Sequence, residues 1–149
     1  KFEFNAGLYY VLRWLGFQVT GYNLIAYIGP ILGLSFIIIT LWITIQEKVK
    51  TPITFLYLVM LIYLLLATTI HPWYLSIPLF CSIFIRSRVA VIWSCFIWLT
   101  YINYNGDIYI ENLWIVGIEY VLLLVYIFYE KKRTLAVLDG ERFETRPKE

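Results

Sequence analysis

From Tyr22 to Ile45 the chain carries no charged side chain. A helix of that length spans the hydrocarbon core of a bilayer, which takes about 20 apolar residues. Comparable runs recur, and the sequence predicts spans near 22–45, 53–70, 72–85, 89–102 and 113–129. The residues are 61% hydrophobic and 15% charged, more apolar sequence than a water-soluble domain of 149 residues needs. The expected fold is therefore all-α: a multi-pass membrane helix bundle of about five spans over residues 21–130. A formal net charge of +2 gives no support to a nucleic-acid partner. Cys81 and Cys95 both lie in apolar runs and read as small buried hydrophobes, not as a disulfide or metal ligands.

Residues 1–20 are expected to form an external amphipathic helix lying in the interface. Asn5 reads as its N-cap and Gly16 as its stop, with apolar residues at Leu8, Val11, Leu12 and Leu15 in helical spacing. Asn5, Tyr9 and Arg13 follow at i, i+4 and i+8 and should share a face. A merely solvated polar stripe would show the same pattern. In the first span, Gly29-Pro30 predicts a kink, and Gly29 with Gly33 makes a small pair that would let another helix approach closely. Pro52 suits the start of the second span. The run Leu75–Ile85 is short for a crossing and carries Pro78, so it reads as a short or kinked span or as a re-entrant segment. Asn103-Tyr104-Asn105-Gly106-Asp107 is a turn signal. Residues 131–149 are expected to be a charged, soluble, partly disordered cytoplasmic tail.

Charge sets the orientation. If the third run crosses, Lys48 and Lys50, Arg86 and Arg88, and Lys131, Lys132 and Arg133 all fall on one side. The positive-inside rule makes that side cytoplasmic, with Lys50 and Arg88 inside and Asp107 outside. A re-entrant third run would return Arg86 and Arg88 to the outside, so the bias favours five spans over four. The chain begins with Lys and shows no signal-peptide pattern, and it is expected to be a piece of a longer protein.

At the corner between the second and third runs stands His71-Pro72-Trp73-Tyr74, which holds the chain's only histidine. Pro72 lacks an N–H and biases His71 away from helix, so the backbone should break there. A titratable ring, two amphipathic aromatics and freed backbone groups at an apolar rim would suit a binding or catalytic site. An ordinary turn with an aromatic belt reads equally well from these residues. The outer side then collects Glu3, Asn5, Tyr9 and Arg13; His71, Trp73 and Tyr74; and Asp107 and Glu111. Arg13 can hold a phosphate bidentately. Glu119 is a carboxylate inside the last span, a functional or helix-pairing position, or else one bonded to a neighbouring tyrosine.

Two stretches carry a family resemblance. Phe2-Glu3-Phe4-Asn5-Ala6-Gly7-Leu8-Tyr9-Tyr10, followed by Arg13-Trp14, resembles a segment of bacterial multi-pass glycosyltransferases of the GT-C fold, which are mannosyltransferase-like. Thr69-Ile70-His71-Pro72-Trp73-Tyr74-Leu75, with Pro78-Leu79, looks like their late His-Pro-Trp-Tyr-Leu corner. The resemblance covers the membrane part as the C-terminal portion of such an enzyme. It implies transfer of a hexose, mannose being expected, from a polyprenyl-phosphate donor to a glycan or lipid acceptor. The site would lie on the non-cytoplasmic face of a bacterial inner membrane. It places the acidic catalytic base upstream of Lys1, so this piece alone is expected to be inactive and no catalytic residue is assigned in it. Arg13, His71, Trp73, Tyr74, Glu3, Asn5 and Tyr9 are the expected substrate-binding residues, with no cofactor and no metal. The partners expected are the bilayer, the lipid-linked donor and the acceptor.

Two other functions read from the same residues. A non-catalytic membrane packing module would explain the apolar runs, though not the gathering of His71, Arg13 and the acidic residues on one side. A fragment of a lipid-linked-sugar transporter would suit Glu119 and the Pro-broken helices, but no internal repeat is visible.

Overall fold

A computed structural model describes residues 3–46, 49, 51–105, 108–109 and 112–144. The chain is all-α in its architecture. Its helices are α1 (Gly7–Thr20), α2 (Ile25–Ile45), α3 (Pro52–Leu66), α4 (Ser76–Ser82), α5 (Val89–Phe96) and α6 (Leu113–Glu144). Short 3-10 segments cover Pro72–Leu75 and Ile97–Asn103, and Tyr104–Asn105 pairs antiparallel with Ile108–Tyr109. Two helices, Ile25–Ile45 and Leu113–Lys132 within α6, are long and apolar enough to cross a membrane.

The bundle has an apolar exterior as well as an apolar core. Leu64, Ile70, Leu75, Trp93, Ile97 and Leu123 are fully buried where α3, the two 3-10 segments, α5 and α6 meet. A second cluster of Tyr9, Tyr10, Ile28, Leu32 and Val116 joins α1, α2 and α6. Only Ile28 and Leu32 of α2 are buried, while Ile31, Leu34, Ile38, Leu41 and Trp42 are exposed. Water would oppose that surface at about 25 cal/mol per Å² of apolar area. Helix α1 follows the same logic: Leu8, Val11, Trp14 and Leu15 point outward, and Tyr9 and Tyr10 are buried.

Local rules hold at some helix ends and fail at others. Thr51 caps α3 by accepting from the Thr54 N–H at 3.4 Å, with Pro52 in the first turn as expected. Asn5 is not the N-cap of α1. Its φ is +49°, a left-handed geometry that asparagine tolerates, and Ala6 holds the capping position without a side-chain bond. Gly16 is not the stop either. It lies inside α1, where an added Cβ would sit 3.2 Å from Leu24, and the helix ends at Gly21 with φ +75°. Pro30 does not terminate α2. Gly29 and Gly33 face open space, not a closely packed helix, and line a groove of about 390 Å³ with Phe36, Tyr63 and Tyr74.

The second apolar run ends earlier than its composition suggests. Helix α3 stops at Leu66, and Ala67 and His71 are extended. Between them Thr69 pairs in parallel with Phe4. The next run is helical only through Ser82, on the order of 20 Å of rise, against about 30 Å for a bilayer core. Its changeover from 3-10 to α falls at Ser76, just before the buried Pro78. The segment nonetheless travels the length of the bundle. It starts at His71 beside Phe4 and ends at Ser87, which bonds Tyr57 in the second turn of α3 and Glu130 in α6. Helix α6 does not end near Glu130 but continues to Glu144. Cys81 is buried as expected, whereas Cys95 is exposed. Phe2, Lys48, Lys50, Gly106, Asp107 and Glu111, and the positions after Glu144, lie outside the described residues.

Candidate functional site

One end of the bundle is organised by the strap Glu3–Ala6, extended at Phe4 and turning left-handed at Asn5. The Phe4 N–H donates to the Thr68 carbonyl at 3.4 Å, and the Ile70 N–H donates to the Phe4 carbonyl at 2.8 Å. Successive side chains along extended backbone point to opposite sides. Glu3 accordingly reaches α1 while Phe4 reaches His71, and the expected site residues sort into two neighbouring groups around the strap.

The first group centres on the Glu3 carboxylate. Arg13 forms an ion pair with it. The Tyr9 hydroxyl donates to Glu3 Oε1 at 2.5 Å, and Asn23 Nδ2 donates to the same oxygen at 2.8 Å. Tyr9 and Arg13 are one helical turn apart on α1, which puts both donors over Glu3. Asn23 comes from the turn before α2, where its Oδ1 also accepts the Ile25 N–H at 3.0 Å. The Arg13 guanidinium lies 4.7 Å from the Tyr10 ring centre, a cation–π contact. Burial alone would push the Glu3 carboxyl up. The hydrogen bonds from Tyr9 and Asn23 and the charge and hydrogen bond of Arg13 outweigh it and hold Glu3 below its ordinary value. Burial, with the bond to Glu3, pushes the Tyr9 phenol up to about 12.

The second group is a ring stack. The His71 imidazole lies between Phe4, with centroids 4.8 Å apart, and Trp73, 4.4 Å away and nearly parallel at 7°. Tyr74 meets His71 edge-on at 5.5 Å. Burial lowers the His71 pKa, so at neutral pH the ring is uncharged. Trp73 is 59% exposed and offers a free aromatic face at the rim, whereas Tyr74 is half-buried against the core.

Asn5 belongs to neither group. Its left-handed backbone turns the side chain inward, where Nδ2 donates to Glu119 Oε1 at 3.1 Å. Trp93 Nε1 donates to the same oxygen at 2.9 Å, and the Tyr120 hydroxyl donates to the Asn5 carbonyl at 2.8 Å. Asn5, Trp93 and Glu119 are all fully buried. Glu119 therefore ties the strap to α5 and α6, in keeping with a helix-pairing role. Gly7 makes the approach of Tyr120 possible, since a Cβ there would fall 2.4 Å from its ring.

Of the expected site residues, the structure brings Glu3, Tyr9 and Arg13 together, and separately His71, Trp73 and Tyr74. Arg13 gives its charge to Glu3. Asn23 was not singled out by the sequence, since nothing local marks a turn asparagine as the partner of a carboxylate 20 positions away. Trp93 was likewise missed inside an apolar run. At the far end of the bundle, Ser87 Oγ donates to Glu130 Oε1 at 2.6 Å and the Arg88 N–H donates to Oε2 at 2.8 Å. That places a carboxylate at the start of α5, where the helix dipole favours it. Comparison with family models, with curated proteins and with solved structures gives no match.

Proposed function

We propose that the chain is part of a multi-pass bacterial inner-membrane glycosyltransferase. It would move a hexose, with mannose the expected sugar, from a polyprenyl-phosphate donor to a glycan or lipid acceptor on the non-cytoplasmic face. The observation that carries this reading is the joining of two groups by one strap at one rim of an apolar bundle. A guanidinium with two further hydrogen-bond donors stands on one side of Glu3-Phe4, and a His-Trp-Tyr corner stands on the other. The five-span orientation is supported by Arg88 lying beside Glu130 and the lysines that follow it, about three turns along α6 from the strap's partner Glu119.

Chemically, breaking the bond between sugar and phosphate puts negative charge on the leaving polyprenyl phosphate. Arg13, Tyr9 and Asn23 offer positioned donors to that charge, which lowers such a barrier most when the donors are fixed beforehand. Uncharged His71 offers an N–H, and the exposed Trp73 face suits stacking against a sugar ring. The catalytic base would come from sequence upstream of Lys1. A packing module remains the second reading, favoured by Glu3 balancing Arg13 and by the two rings flanking His71.

Activity of the full-length enzyme tests this. Arg13→Ala or His71→Ala should lower sugar transfer by about 10²-fold or more, with protein level and membrane insertion near normal. Wild-type transfer in both variants would sink the transferase reading. Loss of protein at unchanged specific activity would favour the packing module. Cysteine labelling at position 88, in a background lacking Cys81 and Cys95, should occur only from the cytoplasmic side.

A further inference from the structure

The Glu3 carboxylate sits where an anionic ligand of Arg13 would sit. It collects a guanidinium, a phenol and a carboxamide N–H, a donor set that suits any oxyanion and none of which is peculiar to a carboxylate. The pair is within reach of the surroundings, the Arg13 side chain being 25% exposed and that of Glu3 14%. On the other side of α1 an apolar groove of about 610 Å³ opens between α1 and α6, walled by Tyr10, Val11, Trp14, Val116, Gly117 and Val121. Tyr10 belongs to both features: its ring carries the Arg13 guanidinium and lines the groove. A ligand with an anionic head on Arg13 and a hydrocarbon tail passing over Tyr10 to the groove would use both features. Glu3 lies outside every helix, and Phe4 beside it is fixed by two backbone bonds to Thr68–Ile70, so the Glu3 side chain can turn away from Arg13 without unfolding a helix.

We propose that Glu3 is an internal stand-in for phosphate, and that a phosphate-headed lipid binds by displacing it from Arg13, Tyr9 and Asn23. This rests on the donor reading above for the identity of the lipid, but the displacement itself does not require sugar transfer. In the resting protein Glu3 keeps the cation balanced at the edge of a low-dielectric region, where a bare guanidinium would be costly. A phosphate brings more charge and more acceptor oxygens to the same donors and so competes with the carboxylate. The freed Glu3 then lies beside the bound head group, while Phe4 stays stacked on His71.

The test is binding of an isoprenyl phosphate, of phosphatidic acid and of inorganic phosphate to the full-length protein in nanodiscs, by calorimetry. Glu3→Gln removes the competing charge and should tighten isoprenyl phosphate by about fivefold, the worth of a partly exposed ion pair. Arg13→Gln should abolish that gain whichever residue stands at position 3. Equal or weaker binding in Glu3→Gln would overturn the proposal even if Arg13→Ala abolishes sugar transfer, leaving the donor reading intact. Tightening for phosphatidic acid but not for isoprenyl phosphate would keep the displacement and remove the donor reading. Tightening for inorganic phosphate alone would overturn the lipid assignment. If Glu3→Gln does not fold, Glu3→Asp draws the carboxylate back by one methylene, and the same gain, smaller, is expected.

Discussion

Two carboxylates lie near the strap, and they are held in opposite ways. Glu119 is fully buried and accepts from two uncharged donors, Asn5 Nδ2 and Trp93 Nε1. Glu3 stands at the rim, is partly exposed and faces a cation. A buried acceptor with fixed donors can do little except hold its elements together, because any exchange of partners leaves polar groups stranded. A rim acceptor paired to a guanidinium can be exchanged, since solvent and competing anions reach it. One node is suited to fastening and the other to recognition, although they are separated by a single residue of strap, Phe4.

The sharpest way to break that contrast is Glu119→Ala. It strands the Asn5 and Trp93 donors and should lower stability by about 2–4 kcal/mol, read from unfolding in detergent. Glu119→Gln keeps the Oε1 acceptor and should cost much less. An unchanged unfolding midpoint in Glu119→Ala would mean that this node fastens nothing. Glu3→Gln should cost less than about 1 kcal/mol, as for other partly exposed pairs. A cost as large as that of Glu119→Ala would make the rim structural as well.

Acid sharpens the same contrast more gently. His71 and Glu3 both have lowered folded-state values, so both bind protons more readily in the unfolded chain. Stability should therefore be full above the ordinary His value of 6.5 and decline as the pH falls through it. A second decline, from Glu3, should begin below 4.5. His71→Phe should remove the first step and Glu3→Gln the second, in pH titrations of the unfolding midpoint. A second step that persists in Glu3→Gln would assign it to another carboxyl.

Sequence periodicity carried the reading as far as helical spacing reaches. Tyr9 and Arg13 sit one turn apart and do share a face, and Thr51-Pro52 starts a helix as local rules say. His71-Pro72 breaks the backbone, as the missing proline N–H requires. Asn5 defeated the same rules. Its residue type favours an N-cap, but its side chain is drawn to Glu119, 114 positions away, and its backbone turns left-handed to get there. The end of α3 moved for a related reason: the strap supplies partners to Thr68 and Ile70, and nothing near residue 70 announces a strand at residue 4. Glu119 could be singled out as a costly carboxylate, but its donors lie on other elements and no spacing names them.

The bond from Asn5 to Glu119 also sets a timetable for assembly. A ribosome adding about 5–20 residues per second needs on the order of ten seconds to pass from one partner to the other. Helices α1 to α5 are all made in that interval, but the strap cannot be fastened until α6 has been made. Closure of this rim thus waits for α6, delayed by the long sequence separation of its partners. Until then Phe4, one of the largest fully buried side chains, is available to whatever attends the nascent chain.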